Sequence, residues 1–123
     1  MSFHNLWMAL ETIKKLDWVY IPAPGRLDAF NFDHAKSELE QIASEQKQIA
    51  IDVSGAHFVS IPMIKFIHSL ATDLARKGGR LALVGPSEKL KRQIHIFASL
   101  DPLMLFSQDS WEKLVNTALE GRA

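Results

Sequence analysis

The chain has 123 residues, enough for one compact domain whose core hides about two-thirds of the unfolded surface. A 47% apolar content speaks for a globular protein, and the absence of cysteine excludes a disulfide scaffold, thiol chemistry and cysteine-based zinc sites. Fourteen Lys plus Arg balance fourteen Asp plus Glu, so the broad basic surface that grips nucleic acid regardless of sequence is not expected.

"LWMALET" and "WVYIPAP", separated by "IKKLD", read as a hairpin or as two short neighbouring strands, the second ended by Pro22 and Pro24. "GRLDAF" follows as a turn. From Asn31 to about Glu45, Phe32, Ala35, Leu39 and Ile42 recur at helical spacing, with Asn31 or Asp28 as the cap. "IAIDV" is a β-branched run suited to a strand buried on both faces. Met63, Phe66, Ile67, Leu70 and Leu74 form the stripe of a helix that ends near Lys77, where Gly78 and Gly79 stop it. "RLALVG" is a further buried strand, closed by Gly85 and Pro86. Ser87 is placed to cap a third helix with Leu90, Ile94, Phe97 and Ala98 inward. "LDPLMLF" carries a turn and a short strand. Trp111, Leu114, Val115, Ala118 and Leu119 mark a last amphipathic helix, capped by Asp109 or Ser110.

The order is β-β-α-β-α-β-α-β-α, which predicts an α/β domain with right-handed crossovers and a largely parallel sheet. It spans 1–123 as a single domain with its core at about 10–119. No run approaches the ~20 apolar residues of a membrane span. The first fifteen residues lack the features of a secretory leader, so the expected address is the cytoplasm, without membrane insertion. The five histidines never fall three or four apart, and neither a metal nor a cofactor is expected.

"DVSGAHFVSIPMIKF" carries the candidate site. A helix start offers free N–H groups that favour negative charge, and a serine there is a good cap and a potential phosphoacceptor. Pro62 suits the first helical position, and a residue before proline is steered out of helical conformation. That reasoning puts Ile61 at the cap and leaves Ser60 one residue outside, as part of the turn.

"GRLDAF", a helix, "IAIDVSGAHFVS", a helix and "RKGGRLALVGPSEKLKRQI" together resemble the STAS domain, the fold of bacterial anti-sigma factor antagonists. The likeness runs from about Leu10 to Leu119, and Gly25, Asp28, Asp52, Gly79 and Gly85 match the family pattern. It implies a four- to five-stranded mixed sheet with about four helices, mostly on one side. In the family an Asp-Ser-Ser-Gly motif opens the middle helix, and its first serine is phosphorylated by a partner kinase that also binds the sigma factor. Here the four positions hold Ser60, Ile61, Pro62 and Met63, so the resemblance implies a partner surface without the usual switch. Asp28, Ala29, Ser60, Ile61, Pro62, Met63 and Ile64 are the expected partner-binding residues, and Ser60 and Ser54 remain as candidate phosphoacceptors.

Other patterns carry less. "RKGGRLALVGPS" lacks the Gly-Lys-Ser/Thr ending of a P-loop and the spacing of a dinucleotide loop. Lys89, Lys91 and Arg92 read as a solvated face, with a partner-facing basic patch as the alternative. Asp52 ends a strand as in a phosphoacceptor receiver domain, but "WVYIPAPG" offers no acidic pair for magnesium. Asp52 therefore reads as an acceptor for loop N–H groups. Ser54-Gly55 lacks a nucleophile elbow, and Asp28, Asp33 and Asp52 show no pairing in sequence, so no catalysis is expected. The leading function is a non-enzymatic, cytoplasmic module that binds and regulates a protein. By resemblance the first candidate partner is a kinase-type anti-sigma factor, whose capture frees a sigma factor for transcription. The alternatives are a cytoplasmic STAS subunit of a transporter or other assembly, and a small-molecule or nucleotide sensor.

Overall fold

The computed structural model describes residues 18–28 and 31–121, with side chains through 117. Strands β1 (Val19–Pro22), β3 (Gln48–Asp52), β5 (Arg80–Val84) and β6 (Met104–Phe106) form the main sheet in the order β1-β3-β5-β6. Strands β2 (Arg26–Leu27) and β4 (Phe58–Val59) pair separately, and helices α1 (Phe32–Glu45), α2 (Ile61–Arg76), α3 (Glu88–Phe97) and α4 (Gln108–Gly121) alternate with the strands. Every strand pair among the described residues is parallel. The run "LWMALET", expected to supply an additional strand, lies outside the described residues.

Strand order in the main sheet follows chain order, so each crossover steps the same way. With right-handed crossovers, helices that connect such strands share one face. The packing agrees: α2 lies against α1, α3 and β5. Phe32 of α1 meets Phe66 of α2 edge to face at 6.2 Å.

Alternation along each strand sorts side chains between two apolar layers. Val19, Ile21, Ile49, Ile51, Leu81, Leu83 and Leu103 join the helical core formed with Ala35, Leu39, Met63, Ile67, Leu74, Leu90 and Ile94. Trp18, Ala50, Ala82, Val84 and Trp111 make the opposite layer, with Tyr20, Met104 and Phe106 against it. Neighbouring strands put Tyr20, Ala50, Ala82 and Met104 in one row. The two alanines keep the middle of that row low, which leaves room for Trp111 of α4. Its ring stands edge-on to Trp18 at 5.3 Å and to Phe106 at 5.5 Å and stacks on Tyr20 at 6.0 Å.

Several boundaries differ from the sequence expectation. "GRLDAF" is more than a turn, because Arg26 and Leu27 pair with Phe58 and Val59. Two-residue strands have no period to read, and this pairing is long-range. Asn31 holds the cap position of α1, one of the two expected, but its side chain makes no cap hydrogen bond. Asn31 turns back instead: Oδ1 accepts from the Asp28 N–H at 2.9 Å and Nδ2 donates to the Arg26 carbonyl at 2.6 Å. Ser87 caps α3 as expected, accepting from the Leu90 N–H at 3.0 Å. α4 begins earlier than expected, and Ser107 takes the capping role, accepting from the Ser110 N–H at 3.1 Å. Phe97, expected inward, sits where α3 ends and is largely exposed. Gly78, at φ +79°, turns the chain out of α2 in a conformation that only glycine adopts freely.

Trp111 and Leu114 lie on the same expected stripe, yet Trp111 is buried and Leu114 is 40% exposed. Urea denaturation should show Trp111→Ala losing about 3–5 kcal/mol, whereas Leu114→Ala stays within roughly 1 kcal/mol.

Candidate functional site

The segment between β3 and α2 is held from two sides. The Gly25 carbonyl accepts from the His57 N–H at 2.7 Å and the Phe58 N–H at 3.3 Å, and the Leu27 carbonyl accepts from the Ser60 N–H at 2.8 Å. Val53 N–H reaches the Val84 carbonyl at 2.9 Å, anchoring the other end to β5. Alternation within β4 then turns Val59 into the core and leaves Phe58 outside. The Arg26 guanidinium lies 4.7 Å from the Phe58 ring centre and pairs with Asp28 at 3.0 Å.

Ser60, not Ile61, is the cap of α2. Its φ and ψ of −69° and 155° are extended, its hydroxyl accepts from the Met63 N–H at 3.3 Å, and its carbonyl accepts from the Ile64 N–H at 3.0 Å. Ile61 and Pro62 are the first two helical residues. Proline disfavours a helical residue before it without forbidding it, and the two bonds from Ser60 fix the turn. The missing N–H of Pro62 costs nothing, because the first turn has no intrahelical acceptor for it.

The expected contact set divides by burial. Ile61 is 40% exposed, Pro62 is exposed, and Ser60 and Asp28 are half-buried. Met63 and Ile64 are buried in the core and lie among its largest enclosed side chains. Helical geometry explains the split: two residues after Ile61 the helix has turned about 200° toward the sheet. Ala29 lies outside the described residues. Phe58, which sequence reading passed over, takes the place that Met63 and Ile64 leave. Its signal was the apolar pair "FV" after a turn, one residue of which must face outward in a strand.

A second cluster occupies the carboxyl ends of the central strands. The Tyr20 hydroxyl donates to Asp52 Oδ2, while Oδ1 accepts from the Ser54 N–H at 2.9 Å and the Ser54 hydroxyl at 2.6 Å. Gln108 Nε2 donates to Ser54 Oγ at 3.1 Å, tying the start of α4 to this turn. Gly85, at φ +70°, lets the chain pass close by; a Cβ there would stand 2.8 Å from that of Ser54. Beside it is an open cleft of about 370 Å³ bordered by Gly85, Lys91, Phe106 and Gln108. The expectation for Asp52 holds, since it receives a loop N–H. Asp28, Asp33 and Asp52 form no joint metal cluster among the described residues.

Burial would raise the Asp52 carboxyl. The hydrogen bonds from Ser54, Tyr20 and Gln108 outweigh it and hold the group below its usual range. Burial, with the hydrogen bond and charge of Asp52 and the charge of Glu112, pushes the Tyr20 hydroxyl well above the usual phenol range. A carboxylate held ionised in this way is a weaker base, opposite to the tuning that general acid–base catalysis requires. The cluster is suited to fixing the turn.

Because the folded pKa of Asp52 is lowered, its stabilisation is complete above the unfolded value of about 4 and is lost as pH falls through the folded one. Tyr20 is raised, so its stabilisation is complete below about pH 10 and lost as pH rises further. Urea midpoints measured against pH should fall at both limbs in the native chain. Asp52→Asn should flatten the acid limb and Tyr20→Phe the alkaline one. At the other turn, Ser60→Ala should cost about 1 kcal/mol at neutral pH, whereas Ser60→Asp, an equally good cap, should not.

Among the described residues no helix is long and apolar enough to cross a membrane. No curated protein sequence matches the chain. The fold is that of a candidate anti-sigma factor antagonist from Thermotoga maritima, whose crystal structure superposes with a TM-score of 0.68 at 18% identity, over 81% of this chain and 88% of that one. An NMR structure of the same Thermotoga protein gives 0.66 at 18% identity, over 81% and 82%. The family model of the STAS domain matches residues 9–111, which cover both the laced segment and the capped start of α2, and the chain belongs to the STAS family.

Proposed function

We propose that this chain is a non-enzymatic regulatory module of the cytoplasm that binds a protein partner at the corner made by β4 and the first turn of α2. The observation that carries this reading is the exposure of Phe58, Ile61 and Pro62 together at a helix start whose backbone is tightly laced to β2. Apolar side chains held on a rigid turn have already lost much of the freedom that binding would otherwise take from them. Asp28 and Ser60 edge the same corner.

Anti-sigma factor antagonist is the description carried by the Thermotoga protein, and an anti-sigma factor of the kinase type is the first partner to test here. Ile61 stands where the family's phosphorylated serine would be, so capture is constitutive or is regulated elsewhere. Ser60 lies half-buried with its hydroxyl engaged as the helix cap, and the Ser54 hydroxyl is bound to Asp52. Neither is presented as a free acceptor.

Affinity capture from the source cell, with native chain and Ile61→Asp compared, tests the reading. The variant should lose partner binding by roughly tenfold or more while its melting temperature stays unchanged. Equal capture by both would reject this surface. Mass spectrometry of the cell-derived protein should show no phosphate on Ser54 or Ser60; a phosphorylated fraction that rises and falls with partner release would overturn the constitutive reading.

A further inference from the structure

The cations around the docking corner point to the chemistry of its partner, an inference that rests on the proposed docking site. We propose that the corner receives an acidic, apolar-centred segment of a partner protein, in which one apolar side chain seats against Phe58, Ile61 and Pro62 and nearby carboxylates meet Lys65 and Lys89.

Three positive side chains surround the apolar group. Arg26 lies over the Phe58 ring and is paired with Asp28. Lys65 is exposed, one helical turn beyond Ile61 and Pro62 and on their side of α2. Lys89, at the start of α3, shares with Phe58 a shallow cleft that includes His57 and Gln93. Lys65 and Lys89 form no ion pair among the described residues, whereas Lys91 pairs with Glu88 at 3.0 Å. Other exposed lysines among the described residues, such as Lys47 and Lys113, also form no ion pair; what sets Lys65 and Lys89 apart is that they lie beside the exposed apolar group. Lys89 also stands near the start of its helix, where the dipole disfavours a cation and an incoming carboxylate would be welcome.

The scale of the patch selects a protein segment. Three cations fall short of the 6–10 phosphate contacts of a typical nucleic-acid grip and of the cluster of about 4–8 that marks an anionic membrane. One helical turn separates Ile61 from Lys65, a rise of about 6 Å. An extended partner advances about 3.3 Å per residue, so its carboxylate belongs about two positions from the apolar anchor.

The test is selection of peptides from a random display library on the full chain. Enriched peptides are then synthesised and titrated by fluorescence anisotropy at low and high salt. Winners should carry Asp or Glu within about two positions of Leu, Phe or Trp. The double charge reversal of Lys65→Glu with Lys89→Glu, at exposed positions where the melt should not move, should weaken them roughly tenfold or more at low salt and remove most of the salt dependence. Selection on the reversed protein should favour Lys or Arg instead. Peptides without acidic bias, or indifferent to the reversal, overturn the inference. If Ile61→Asp abolishes their binding while the reversal does nothing, the docking site stands and the acidic partner falls. If neither variant matters, or no peptide is enriched, both fall. Binding of the native chain to mixed phosphatidylcholine–phosphatidylserine vesicles, lost on reversal, would assign the corner to a membrane and overturn the protein segment.

Discussion

The carboxylate of Asp52 sits where the central strand must hand the chain on to the segment that forms the corner between β4 and the start of α2. One oxygen receives the Tyr20 hydroxyl from β1, and the other receives the backbone and hydroxyl of Ser54. The strand end is therefore tied sideways and forward at once, and the following residues leave the sheet in one direction. From there the carbonyls of Gly25 and Leu27 take over, holding His57, Phe58 and Ser60 in register with β2. Polar bonds at a half-buried edge set the direction in which three apolar side chains face. A hydrophobic contact alone is non-directional and would not fix it.

The sheet itself imposes a second constraint. A parallel sheet built from crossovers in one direction has its helices on a single face, and its other face needs cover from outside the crossovers. α4 supplies that cover through Trp111, and the alanines at positions 50 and 82 make the space for it. Gln108, at the start of the same helix, reaches Ser54. The element that closes the second face thus also bears on the turn after β3.

Long periodic elements were legible in the sequence, and so was the family. α1, α2, β3 and β5 fall where the apolar spacing puts them, because each contains enough residues for its period to show. β2 and β4 did not announce themselves: two residues have no period, and their partner lies about thirty positions away. The cap of α2 was misplaced by one residue because a rule about proline was given more weight than the serine hydroxyl and carbonyl beside it. Which residues face outward follows from helical spacing: Met63 begins the apolar stripe and Ile64 is buried beside it, so the exposed set is Ile61, Pro62 and the unforeseen Phe58. Leu114 and Phe97 fail for a different reason, being apolar residues on the shoulder of a stripe where neighbouring elements run out.

What the apolar group can contribute by itself is limited, and the limit bears on what surrounds it. Phe58 and Ile61 retain 39% and 40% of their exposure, and Pro62 is exposed as well. Fully burying a large apolar side chain is worth about 1.5–3 kcal/mol, so covering what remains of three yields about 2–4 kcal/mol. A micromolar complex needs about 8 kcal/mol net of the association cost. On the proposed docking reading, the apolar group is therefore an anchor within a wider contact. The rest then comes from groups that gain by being paired, and around this corner those are Lys65 and Lys89, since Arg26 already pairs with Asp28. On the same reading, isoleucine at the position of the family's chargeable serine supplies a fixed anchor, and selectivity rests on the charges beside it.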